Sequence, residues 1–456
     1  MINRKEIEAK SQEFEINVSN VERDYIFGWI LAGIYSFSSL KDVLVLKGGN
    51  CLRKGYLVNT RFSADLDFST EQNISDDVLM SELNKVCDFV QEKSGVMFQK
   101  DRNCIEEKQL VQMVGEQRKF SQVKLYFKDF YGKPGSVILS VRLDITQLDK
   151  IFLPIQNRPL IHPYSDASEC SIPIRCEKLE EVLAIKLKCL LQRRHVADLF
   201  DFVYAIFINR TIEVNRAEIL STFLKRTIYE RGPGAAKDLL LRLPFDTFRG
   251  YWEVHLSCPK QSLIVFEDVL VHFKNAIEDI FQGVSGYGSL SFFPAEFRNP
   301  IIDAGQGCRL LEVKYDGRAR IVEPYSLVYK IRKDGRGQEY FYVYDRTGGN
   351  SSGPGIKTFV RDNLQSVKLL DEKFEPRAAI ELSKAGEYGD KRHFEFHGRR
   401  AASLRSRLAG MGIRYVVECW QCGKRFRRSS YNSRIDKHKD KYGYDCFGRV
   451  GTISSL

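Results

Sequence analysis

Residues 43–70, VLVLKGGNCLRKGYLVNTRFSADLDFST, limit the fold more than any other stretch: an apolar run, a glycine pair and two spaced acids follow one another closely. Val43 to Leu46 reads as a short buried strand. Gly48 and Gly49 end it in a turn where backbone can come close to a ligand such as a phosphate. Through Ala64-Asp65-Leu66-Asp67-Phe68, the strand period of two sends Leu66 and Phe68 inward and both carboxylates to the opposite face. Two like charges held side by side repel unless a cation lies between them, and oxygen donors of this kind suit Mg2+. Asp-x-Asp alone equally fits a solvated strand edge. The glycine pair ahead of it turns the reading towards a site.

Two later segments add charged groups. In VILSVRLDIT (137–146), Val137, Leu139, Val141, Leu143 and Ile145 share one face and Ser140, Arg142 and Asp144 the other. Asp144 is either a third acid for the same metal or an exposed strand-end carboxylate. From Cys176 the period turns helical: Leu179, Val182, Leu183, Lys186 and Leu190 fall on one stripe. An ammonium at Lys186 is costly among apolar neighbours unless an anion meets it, whether a buried carboxylate or a phosphate. Residues 1–40 read as one or two helices, Ser75 as a helix cap, 96–98 and 123–127 as strands, and 211–290 as a helical bundle with segments near 216–229, 235–242 and 261–282. His255 and His272 have no second ligand at a recognisable spacing, so they read as packing residues.

The wording LKGGNCLRKGY followed by RFSADLDF resembles the AbiEii/AbiGii toxin family of nucleotidyltransferases, within the polymerase-beta superfamily. The segment EEVLAIKLKCLLQRRHVADLFDF and the R-x-D-I of the 137–146 strand extend the resemblance to about residues 40–205. It implies a mixed sheet with flanking helices. Asp65, Asp67 and Asp144 would hold a pair of Mg2+ ions, and Asp144 alternatively takes a proton from an attacking hydroxyl. Gly48, Gly49, Ser63 and Lys186 would hold the triphosphate of an NTP substrate, with Arg53 or Arg61 helping. Asp198 maps to the carboxylate of the following helix. Ile185 and Ala197 depart from the family wording, which has an acid and an arginine there.

The glycines and prolines between Gly283 and Pro300 mark a boundary, and from Gly305 strand follows strand. IVEPYSLVY, YFYVYD and IKTFVRDNLQSVKLLDEKFEPR are similar to the WYL domain, a small barrel-like β module. That resemblance implies a nucleic-acid or nucleotide ligand met by Tyr342, Lys357 and Arg361; a protein-binding barrel is the other reading. In the tail, Cys419-x2-Cys422 followed by His438 and Cys446 has the composition of a tetrahedral Zn2+ site, and a redox pair would lack its usual β-α-β setting. Of the net charge of +11, residues 398–449 hold nearly all, with fourteen Lys or Arg against four acids. With Arg425, Phe426, Arg427 and Arg428 beside Trp420, Tyr431 and Tyr442, such a tail suits RNA: cations for phosphates, rings for bases.

A chain of 456 residues allows about three domains. No apolar run of 18 residues occurs and the first residues lack an apolar signal core, so neither a membrane span nor secretion is expected. Eleven scattered cysteines fit a reducing cytoplasm. The expected architecture is α+β: a nucleotidyltransferase domain (1–165), a helical domain completing the nucleotide site (166–290), a WYL-like β domain (300–380) and a basic zinc-knuckle tail (398–456). The expected function is Mg2+-dependent transfer of a nucleotide from an NTP to an acceptor hydroxyl, the 3′ end of tRNA first. The family resemblance places this in bacterial toxin–antitoxin or phage-defence systems, with a cognate antitoxin as partner. The alternatives are synthesis of a free oligonucleotide signal and a nucleic-acid-binding regulator with a silent transferase fold.

Overall fold

The computed structural model describes residues 2–107, 119–128, 138–209, 212–286, 291–349, 353–377, 380–382, 415–419, 422, 424–428, 433–439, 445–446 and 451–455. Val137, Trp420, Tyr431 and Tyr442, named above, lie outside the described residues, as do the side chains of Arg427 and Arg428.

Helices α1 (Arg4–Phe14) and α2 (Val18–Ser36) open the chain. Asn3 and Asn17 cap them by accepting from Glu6 and Ser19 backbone N–H groups, which satisfies donors the first turn leaves over. Because α2 is apolar on nearly all sides, it is buried from Tyr25 to Ile34 and becomes a core element. It packs against a seven-stranded mixed sheet of β1 (Val45–Lys47), β2 (Leu66–Thr70), β3 (Cys104–Glu107), β4 (Lys119–Lys128), β5 (Ile138–Gln147), β6 (Gln156–Pro159) and β7 (Pro173–Cys176). The strand order is β3-β4-β5-β2-β1-β7-β6. Two α-helices lie between β1 and β3: the short α3 (Gly48–Cys51), continued by a π-helical turn over Leu52–Tyr56, and α4 (Asp76–Ser94), the latter capped by Ser75.

After the sheet come α5 (Leu179–Gln192), α6 (Val196–Val203), α7 (Arg216–Lys225), α8 (Pro233–Leu241), α9 (Phe245–His255) and α10 (Phe266–Ile280). All of them share one apolar cluster with the sheet, running from Ile2 to Phe281. Phe248, Trp252 and His255 at helical spacing bury α9, a helix the sequence reading passed over behind Pro244. The structure corrects two expectations. The glycine pair opens a helix instead of ending in a turn, and Lys47 stands as its N-cap. The strand expected at 96–98 is a single bridge, Phe98 to Phe127.

A second cluster, Phe293 to Leu382, belongs to helix α11 (Ala295–Gly307) and an antiparallel sheet of β8 (Arg309–Tyr315), β9 (Arg318–Ile331), β10 (Gly337–Asp345), β11 (Gly355–Val360) and β12 (Leu364–Lys373). Its order is β11-β10-β9-β8-β12, and among the described residues the two edge strands do not pair, so no ladder closes it into a barrel. Helix α11 runs through Pro300, inside the stretch read as a boundary, because Ile301, Ile302 and Ala304 find the sheet to bury against. Tertiary packing outweighs the lost hydrogen bond there. In the tail, β13 (Tyr415–Cys419), β14 (Arg425–Arg428), β15 (His438–Lys439), β16 (Asp445–Cys446) and β17 (Gly451–Ser455) form a three-stranded and a two-stranded sheet. Among the described residues no helix is long and apolar enough to cross a membrane.

Candidate active site

Four adjacent strands each contribute one polar residue to a row across the sheet. Gln122 on β4 lies opposite Asp144 on β5, Asp144 opposite Asp67 on β2, and Asp67 opposite Lys47 on β1. Since β2 and β5 run parallel in this register, two residues that are 77 apart in sequence become lateral neighbours. Asp65 sits two residues before Asp67 on the same face, and oxygens of Asp65, Asp67 and Asp144 lie within 4.8 Å of one another. Gln122 Nε2 donates to Asp144 Oδ1 at 2.6 Å. Arg142 is ion-paired to Asp65 and places its Nε 3.7 Å from Asp144 Oδ2.

Positive charge is short at the centre of the row. Burial first, then the charges of Asp65 and Asp144, push the Asp67 carboxyl up to about 7; Lys47 and Lys186 pull the other way without prevailing. Lys47 is itself shared, donating to Thr146 Oγ1 at 3.0 Å and Asp149 Oδ2 at 3.1 Å. Gly48 has φ of +71°, a conformation that favours glycine, and a Cβ there would overlap the Asp67 carboxylate. A Cβ on Gly49 would come within 2.7 Å of both Arg61 Nη2 and Ser63 Oγ. The glycine pair therefore lets the start of α3 lie flat on Asp67 and Ser63. Asn50, next along, donates to the Asp65 carbonyl.

A second group of charges stands beside the row. Lys186 on α5 lies 3.0 Å from Asp198 Oδ1 and 2.8 Å from Asp201 Oδ2, both on α6 one turn apart. Arg61 grips Asp201 through Nε at 2.7 Å and Nη2 at 2.6 Å, and Arg193 grips Asp198 through Nε at 2.8 Å and Nη2 at 3.1 Å. Burial alone would lift Asp198, but Arg193 and Lys186 outweigh it and hold the carboxyl well below the usual range. Burial would likewise lower Lys186, yet Asp201 and Asp198 hold it above the ordinary lysine value. Three cations against two buried carboxylates leave one positive charge in excess.

Of the residues expected at the site, Asp65, Asp67, Asp144, Gly48, Gly49 and Ser63 lie together, and Lys186 and Asp198 lie beside them. Arg53 is spent elsewhere: its Nε donates to Asp24 Oδ1 at 2.7 Å, its Nη1 to the Thr60 carbonyl at 2.6 Å, and its guanidinium stacks 3.6 Å from the Phe62 ring. Lys47, Gln122, Arg193 and Asp201 went unnoticed in the sequence. Lys47 had a signal, its place directly before the glycines; Asp201 had another, one helical turn beyond Asp198.

In the tail, Cys419, Cys422, His438 and Cys446 offer three Sγ atoms and a ring nitrogen within 4.8 Å of one another. Cys419 and Cys446 sulfurs are 3.7 Å apart, Cys422 Sγ is 3.2 Å from His438 Nε2, and His438 Nδ1 lies 2.9 Å from the Asp436 carbonyl. Burial, with thiols close by, pushes Cys422 up to about 12. In the second sheet, Tyr342 faces Thr358 in register and Val343 faces Lys357, so Tyr342 and Lys357 fall on opposite faces. Lys330, whose Nζ donates to the Tyr342 hydroxyl at 3.2 Å, is the cation beside that ring.

A family model described as nucleotidyl transferase AbiEii toxin, type IV toxin–antitoxin system, matches residues 29–255, from within α2 to the end of α9. The acid row, the glycine pair, Lys186 and Asp198 all fall inside that match. Among solved structures the chain is similar to MenT4, a nucleotidyltransferase toxin from Mycobacterium tuberculosis H37Rv, at 16% identity and a TM-score of 0.39, covering 61% of this chain and 88% of that one. No curated protein sequence matches the chain.

Proposed function

We propose, on the premise that through residues 29–255 this chain belongs to the AbiEii family of nucleotidyltransferase toxins, that it moves a nucleotide from an NTP to the 3′ hydroxyl of tRNA in a divalent-metal-dependent reaction. The observation that carries this reading is the acid row: three carboxylates converge within 4.8 Å, and burial with the charges of its two neighbours pushes the central carboxyl well above the ordinary range. An all-oxygen donor set of this kind fits Mg2+. Asp65, Asp67 and Asp144 would hold it, and the bound ion would neutralise charge on the reacting and departing phosphates.

The chain's own residues do the rest. Gly48 and Gly49 let phosphate oxygens approach backbone N–H groups, and Ser63 supplies a hydroxyl beside them. Lys186 offers charge to the triphosphate while Asp198 and Asp201 keep it protonated and aimed. Arg61 supports the same seat from behind through Asp201. Arg53, through Asp24, braces the connection between the glycine pair and the acids. Asp144, which accepts from Gln122, would as an alternative to holding metal take the proton of the attacking hydroxyl.

The division into catalytic (1–165), helical (166–290), WYL-like (300–380) and basic tail (398–456) parts belongs to the same proposal. The WYL-like sheet and the tail would grip the acceptor RNA, and a cognate antitoxin would silence the enzyme in a bacterial cytoplasm. The soft donor set in the tail fits structural Zn2+, with the Asp436 carbonyl orienting the His438 ring. Metal analysis should find about one zinc per chain. Cys419→Ser should lose it and open strands β13 to β17 to proteolysis while the α2 core melts as before. A zinc content unchanged by that substitution would remove the assignment.

The deciding test incubates full-length protein with each labelled NTP and Mg2+, with and without total tRNA. Label on RNA supports the reading, label in a new small soluble species points to a free oligonucleotide, and no label at all removes transfer. A second check uses the Asp67 carboxyl. A folded value of about 7 against the ordinary 3.8 means the native state binds the extra proton, so metal-free stability falls as pH rises between those values. Glu177, which burial also pushes up to about 7, adds to the same trend. Relative to Asp67→Asn, wild-type melting temperature without metal should therefore drop between about pH 5 and pH 8, a comparison that cancels the opposite contribution of the buried His162, His195 and His255, and Mg2+ should raise the wild type mainly at the higher pH. Equal Mg2+ protection at both would count against the acid row as the metal site.

A further inference from the structure

The connection between α5 and α6 is held from both sides by the second sheet and its helix. Gln192 Nε2 donates to the Leu327 carbonyl of β9 at 3.0 Å, and Arg298 of α11 donates to the Leu191 carbonyl. Arg194 pairs with Asp303 of α11 and donates through Nη2 to Asn299 Oδ1 at 2.9 Å and to its carbonyl at 3.2 Å. Gln306 Nε2 reaches the Arg194 carbonyl at 3.5 Å. Between these anchored neighbours stands Arg193, which turns the opposite way, onto Asp198. Its side chain is 25% exposed, whereas Lys186 keeps 7% and Arg61 3%. Arg193 is thus the most open cation of the group beside the acid row, and the field of Asp67 reaches it.

A guanidinium carries five N–H donors. Asp198 takes one from Nε and one from Nη2, which leaves both Nη1 protons and the second Nη2 proton. The bidentate pair fixes the plane of the group before any ligand arrives, so little side-chain freedom remains to be lost. We propose that Arg193 is a triphosphate-binding residue of the transferase site, presented by a loop that α11 and β9 hold in place, so that the C-terminal module is a working part of the nucleotide site. This rests on the transferase reading for the site's location, but its test does not require transfer.

The test measures the Kd of a fluorescent non-hydrolysable NTP with Mg2+ on the full chain, together with melting temperature. Arg193→Gln should weaken binding by about ten- to a hundredfold, as loss of charge-assisted hydrogen bonds to phosphate does, and Arg193→Lys should recover part of it. Asn299→Ala, remote from the ligand, should weaken binding several-fold by loosening the loop, with melting changed by far less than would unfold the protein. A merely structural Arg193 would lower the melting temperature and leave Kd within about twofold of wild type; that result overturns the proposal. An unchanged Kd for Asn299→Ala overturns the role given to the module. If wild type binds NTP yet labels no acceptor, the transfer reading alone falls; if it does not bind NTP, both do.

Discussion

Asp67→Asn is expected to cut nucleotide transfer by roughly 10³-fold or more under the proposed metal-holding role, because a metal-held phosphate site contributes several kcal/mol and each factor of ten corresponds to 1.36 kcal/mol. The fold should survive. At pH 8 the metal-free variant should melt at or above the wild-type temperature, since an uncharged amide no longer faces Asp65 and Asp144. Activity lost with stability kept, or raised, is the signature of a group whose burial serves chemistry and costs the fold. Parallel loss of both would recast Asp67 as a structural residue.

Lys186→Met should be damaging in a different way. The ammonium lies between Asp198 and Asp201, both about 1% exposed, and removing it leaves two carboxylates with Arg193 and Arg61 alone. Each carboxylate keeps a bidentate arginine, so the loss is that of two charge-assisted hydrogen bonds, of order a few kcal/mol. The variant should therefore melt many degrees lower and transfer nothing measurable. The double variant Lys186→Met/Asp201→Asn should melt lower still and transfer nothing, because Arg61, buried and bidentate on Asp201, then loses its carboxylate. Calorimetry paired with the labelled-NTP assay separates these outcomes; recovery of transfer in the double variant would show that Lys186 acts only as a counter-ion.

Much of the site was readable along the chain because the relevant spacing is local. A period of two places Asp65 with Asp67 and Arg142 with Asp144, and a period of 3.6 sets Lys186 among Leu179, Val182, Leu183 and Leu190, all buried as read. Five strands of the second sheet were legible for the same reason, each being bounded by turn residues. Partnership was not legible. Whether the anion meeting Lys186 would be a carboxylate or a phosphate stayed open until α6 was seen to bring two carboxylates to it. Arg53 carried the same charge and motif position as a phosphate ligand, yet Asp24, 29 residues away, claims it.

The local pattern by itself determined which residues share a face, where helices and strands run, and which side chains are able to hold hard or soft metals. Only the tertiary structure decided the lateral register that sets Asp144 against Asp67, the burial that denies Asp67 a full share of counter-charge, and the grip of α11 and β9 on the residues either side of Arg193. The reason is physical: side-chain direction follows from backbone periodicity within a segment, whereas charge balance depends on which distant segments pack together and exclude water.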